Sequence, residues 1–136
     1  MKGVIWLRIS AMVSLLFAAG HTVGGRSSWS PVGENELLMS MRTVHFHFQG
    51  VSRSFLDFYR GFGYSLSVFL TLQAVVLWQL AGVAKTQPQT VRPLVASFAI
   101  ASVIGAVITW MFIFPIPAMF SALLTACLAI AFVTLR

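Results

Sequence analysis

From Leu94 to Leu135 the chain runs for 42 positions without one Asp, Glu, Lys, Arg, His or Tyr. Such a run cannot form the water-facing half of a soluble domain. It is long enough for two passages of a hydrocarbon core ~30 Å thick, each needing ~20 apolar residues. Pro115 and Pro117 sit at its midpoint, where they remove backbone donors and block one continuous helix. The Phe114-Pro-Ile-Pro117 stretch therefore reads as a tight turn between two spans, over 94–114 and 116–135. Pro93 falls at the first turn of the earlier one, a position that suits proline.

Two further apolar segments lie upstream. The first covers 4–23 and opens after Lys2. Its start, its apolar run and Ala18-Ala19-Gly20 share features with a signal peptide. Arg8 interrupts the early apolar stretch, which favours a retained helix whose arginine snorkels to the headgroups. The second begins with Ser54-Phe-Leu-Asp57, a capping-box pattern in which Ser54 accepts from an early N–H and Asp57 reaches back. It continues to Val83, about 30 residues or ~45 Å at 1.5 Å per residue. That exceeds one hydrocarbon core, so the expected span is 61–83 and the turns before it project outside.

Composition agrees. Only 9% of the 136 residues are charged, 58% are hydrophobic and mean hydropathy is +0.88, against about 25% charged in soluble domains. The expected class is an all-α, polytopic four-transmembrane-helix bundle in a single domain. Net charge is +6, but the nine basic residues are scattered singly, without the patch that a nucleic acid would need. They read as topology signals. With four spans, Lys2, Arg8, Lys85, Arg92 and Arg136 share one side and Arg26, Arg42, Arg53 and Arg60 the other. Five against four, with the short loop between Lys85 and Arg92, places both termini in the cytoplasm. Trp6, Trp78 and Trp110 fall toward span ends, as interfacial belts require.

The connecting segment, 24–60, opens with Gly-Gly-Arg-Ser-Ser-Trp-Ser-Pro, a loop composition. Leu37, Leu38, Met41, Val44 and Phe48 then recur at spacings of three and four, predicting a short amphipathic helix lying along the interface or capping the bundle.

Helices in lipid associate through small residues and interhelical hydrogen bonds. The third span offers Ser97, Ala101, Gly105 and Thr109 at four-residue spacing, and the fourth Ala118, Ala122 and Ala126. These are the expected packing positions.

Polar groups gather where the first span ends and the second begins. His21 and Thr22 lie there, with Asp57, Arg60 and Tyr64 on one face of the second span's helix. Capping and pairing with Arg53 or Arg60 would satisfy Asp57 entirely. Alternatively, His21, Asp57, Arg60 and Tyr64 line a polar pocket for a lipid headgroup, a quinone or another amphipathic molecule. His45 and His47 are weak metal candidates: they face one way only on a strand, and a site needs three or four ligands. Haem ligation by His21 is a lesser alternative, and no cofactor is otherwise indicated. Cys127 is a lone apolar-run cysteine and says nothing of redox compartment. No nucleophile triad, phosphate loop or paired intramembrane carboxylates appear. Phe55, Phe58, Phe62, Leu66 and Phe69 form a stripe suited to lipid or packing.

At Gly20-His21-Thr22, at Asp57-Phe-Tyr-Arg-Gly-Phe-Gly63 and at Val75-Val-Leu-Trp-Gln-Leu80, the chain resembles an uncharacterised family of small four-helix bacterial membrane proteins. The overall plan is also loosely similar to DoxX-like four-helix proteins. These resemblances imply a multi-pass protein of the bacterial inner membrane and assign no chemistry to any residue. The expected function is non-enzymatic: an accessory or scaffold subunit that associates with other membrane subunits or with itself. The alternative is the amphipathic-ligand binder, which an enzyme could also be.

Overall fold

A computed structural model describes residues 2–26, 30 and 32–136. The elements are α1 (Lys2–Arg26), α2 (Glu36–Thr43), β1 (His45–Phe48), β2 (Val51–Ser54), α3 (Phe55–Val83), α4 (Pro88–Phe112) and α5 (Pro115–Thr134). Among the described residues the elements are helices apart from one hairpin, and α1, α3, α4 and α5 are each long and apolar enough to cross a membrane.

The boundaries follow local chemistry. Gly24 and Gly25, expected in a loop, remain helical because neither enters the left-handed region; among the described glycines only Gly33 and Gly50 do. Ser27, Ser28, Trp29 and Pro31 of the expected loop lie outside the described residues. Asn35 caps α2 by accepting from the Leu38 amide at 2.9 Å. The helix then stops at Thr43, short of the expected Phe48. Over His45-Phe-His-Phe the alternation of period two prevails over the helical period. These residues pair antiparallel with Val51–Ser54, Phe46 opposite Arg53 and Phe48 opposite Val51. Gln49 (φ 51°) and Gly50 (φ 80°) close the strands, a two-residue loop with both φ values positive, as the favoured type I′ hairpin requires.

The capping box at the start of α3 forms as expected. The Asp57 amide donates to Ser54 Oγ at 3.1 Å, and the Ser54 amide and hydroxyl donate to the Asp57 carboxylate at 3.1 and 2.8 Å. At the other end, four residues separate α3 from α4, which begins at Pro88 and so places Pro93 inside the helix. There it forfeits one bond, to the Gln89 carbonyl. Between α4 and α5 only Ile113 and Phe114 intervene. Pro115 and Pro117 occupy the first turn of α5, where amides have no intrahelical partner anyway.

The chain divides into two compact units: residues up to Phe17 with Leu70–Arg136, and Ala18–Phe69. In the first unit Leu7, Leu77, Val91, Val95 and Leu128 are completely or almost completely buried at its centre. The buried positions step by four and three in alternation: Leu70, Ala74, Leu77, Ala81 and Ala84 on and just beyond α3, and Pro117, Ser121, Leu124, Leu128, Ala131 and Leu135 on and just beyond α5. This spacing repeats every seven residues, the period that keeps a seam facing its neighbour in shallow-angle helix packing.

That period redistributes the expected packing residues. A strict step of four turns by about 40° each time on a helix of 3.6 residues per turn, so a long four-spaced stripe walks off the seam. Accordingly Ala118 is buried and Gly105 and Thr109 are half-buried, whereas Ser97, Ala101, Ala122 and Ala126 are exposed. The seam on α4 runs instead through Val91, Val95, Phe98 and Ser102.

Close approach marks this unit. Ser14, fully buried, donates across to the Leu70 carbonyl at 2.9 Å. Phe17 stacks on Phe120 at 5.1 Å. The guanidinium of Arg8 lies 5.2 Å from the Trp78 ring and that of Arg92 lies 4.6 Å from Phe132, within cation–π range.

Candidate functional site

The polar residues singled out from sequence, His21, His45, His47, Asp57, Arg60 and Tyr64, fall in the second unit. It comprises the end of α1, the connecting segment and the first half of α3. His21 sits in the next-to-last turn of α1 and is half-buried. Its Nδ1 lies 3.1 Å from Ser67 Oγ, and the Ser67 hydroxyl is 3.3 Å from the Gly63 carbonyl one turn back. A Cβ built on Gly63 would lie 3.7 Å from His21 Cε1, ordinary contact, so the imidazole rests against the α3 backbone. Ser67 is 8% exposed. Thr22, next to His21, bonds its own helix at the Ala18 carbonyl.

Ser67 is thus the partner of His21, and it was not among the candidate site residues read from the sequence. The available signal was its spacing, four residues after Gly63 and seven after Arg60 on one helical face.

Asp57, Arg60 and Tyr64 are disposed differently. The Asp57 carboxylate is exposed and engaged by Ser54. It makes no ion pair with Arg53 or Arg60; Arg42 and Glu34, 2.9 Å apart at the surface, form the only ion pair among the described residues. Tyr64 is exposed. Arg60 is half-buried, and its Nε is a buried donor without a hydrogen-bond partner. His21 forms no hydrogen bond with any of these three. The structure therefore joins His21 to α3 through Ser67 and leaves the acid at the helix start, held by its cap.

His45 and His47 do lie on a strand and share its face, opposite Ser54 and Ser52. His45 Nδ1 is 2.8 Å from the Thr43 carbonyl. No group of three His, Cys, Asp or Glu able to hold a metal ion occurs among the described residues. Cys127 is buried in α5 as a small apolar side chain.

Compared with models of protein families, with curated proteins and with solved structures, the chain matches none. What fold and site define is a small helical protein with four helices of membrane-crossing length and one polar node, His21–Ser67–Gly63.

Proposed function

We propose that this protein is a non-enzymatic, multi-pass component of a bacterial inner membrane, with both termini cytoplasmic. In this reading it acts as an accessory or scaffold subunit, packed against other membrane subunits or against copies of itself. The observation that carries the reading is the placement of the small residues. Ser97 and Ala101 on α4, and Ala122 and Ala126 on α5, lie at the surface, while the seven-residue seam packs the interior. Small side chains on an outer helix face allow another helix to approach backbone to backbone. Around them Ile100, Val107, Trp110, Met119 and Leu123 are each about half exposed or more, an apolar surface far beyond the patches that soluble monomers tolerate.

A binder of a lipid, a quinone or another amphipathic molecule is the second reading. His21, held half-buried against α3, favours it; the exposed, capped Asp57 weighs against it. Extraction in mild detergent followed by mass determination separates the readings. A homo-oligomer or a stoichiometric partner is the expected result, and a lone monomer overturns the scaffold assignment.

A further inference from the structure

The β1–β2 hairpin has two chemically distinct faces. Register puts His45, His47, Ser52 and Ser54 on one and Phe46, Phe48, Val51 and Arg53 on the other. On the second face Phe48 is 65% exposed and Val51 48%. In water such a face would be a liability on a two-stranded hairpin, which has little stability of its own.

This face does not end at the hairpin. The Phe46 ring lies 5.3 Å from Phe55 and 5.7 Å, edge-on, from Phe58, and Phe58 lies 4.9 Å, edge-on, from Phe62. From Phe62 the exposed stripe continues along α3 through Leu66 and Phe69. A chain of ring contacts therefore joins Phe62 and Phe58 of a membrane-length helix to Phe46 of the hairpin, and Arg53 lies directly opposite Phe46 across the strands. An apolar face of Phe and Val with a basic side chain beside it suits the boundary between acyl chains and headgroups, the rings entering the apolar side and the guanidinium reaching phosphate.

We propose that the hairpin is an interfacial membrane element: its Phe46–Phe48–Val51 face enters the lipid of the leaflet bordering the start of α3, with Arg53 against the phosphates and His45 and His47 turned to water. The proposal rests on the membrane assignment made above. Spin labels test it in nanodiscs of phosphatidylethanolamine and phosphatidylglycerol, using Phe48→Cys, His47→Cys and, as a mid-helix control, Ile100→Cys, each in a Cys127→Ala background. The expected result is a higher ratio of oxygen to nickel-chelate collisions at 48 than at 47, and a ratio lowered at 48 but not at 100 by Arg53→Glu. Equal, water-like ratios at 47 and 48 with a lipid-like ratio at 100 overturn the hairpin proposal alone. So does protection of 48 from both reagents, which would mean that protein covers the face. A water-like ratio at 100 overturns the membrane assignment itself.

Discussion

The buried hydroxyl of Ser14 donates to the backbone carbonyl of Leu70, 56 residues away in sequence and 2.9 Å away in space. A carbonyl inside a helix already accepts from its own chain, so this bond uses its second lone pair and ties α1 to α3 without unwinding either. Ser14→Ala removes the bond and should cost about 0.6–1 kcal/mol, the range for such bonds between helices. Ser14→Leu should cost more, ~1–3 kcal/mol, because it forces a larger side chain into a closed seam. Unfolding titrations in mixed micelles measure both, and a Leu variant as stable as the Ala variant would refute the tight seam.

Gly3 makes an even closer approach. A Cβ there would lie 2.7 Å from Leu135 Cγ and 3.0 Å from the Leu135 backbone nitrogen. Gly3→Ala should therefore destabilise, by ~1–3 kcal/mol as overpacking does, despite alanine's helix preference. Gly20, with nothing within 4 Å of its built Cβ, supplies the contrast. Gly20→Ala should stabilise, by up to about 1 kcal/mol. Opposite signs in thermal unfolding are the expected outcome.

His21 and Ser67 should be energetically coupled. A double-mutant cycle with His21→Ala and Ser67→Ala should give an interaction energy of about 0.5–1.5 kcal/mol, typical of one hydrogen bond. Additive effects would mean that the 3.1 Å approach contributes nothing.

The Ser54 cap joins the hairpin to α3. Ser54→Ala should cost about 1 kcal/mol, the usual effect of losing a helix N-cap. The loss should be local: faster amide exchange over the first turn of α3, with the amides beyond Ser67 unchanged. Uniform acceleration along the helix would contradict a capping role.

Small residues on the surface make a fifth kind of prediction. Ala122→Phe and Ala126→Phe should leave the unfolding midpoint of the isolated protomer nearly unchanged, since both positions are exposed on it. They should nevertheless dissociate any oligomer that packs on that face, as read by native mass spectrometry.

The long helices were legible because their signal is redundant: twenty or more apolar residues specify a helix whatever the local detail, and the prolines at 115 and 117 mark the break. The Ser54–Asp57 cap was legible for the opposite reason, being wholly local. Two features were not. Between Val44 and Ser54 the helical and strand periods overlap at Val44 and Phe48, and only the Gln49–Gly50 turn, with its two positive φ values, decides between them. Small residues every four positions look like one stripe in sequence, but the buried positions alternate steps of four and three, so Ala118, Gly105 and Thr109 fall toward the interior while Ser97, Ala101, Ala122 and Ala126 lie at the surface. His21 was legible as one of a polar cluster, but Ser67 was not singled out as its partner, since it lies 46 residues away in sequence and only its spacing on α3 pointed to it.

The brevity of the last two connections has a further effect. With four residues between α3 and α4 and two between α4 and α5, neither link can carry the chain back along the length of a helix that is 25 or 20 residues long. Each helix must start where its predecessor stops. A connection that short fixes where the next helix begins, so once α3 is in place the starting points of α4 and then of α5 follow in turn.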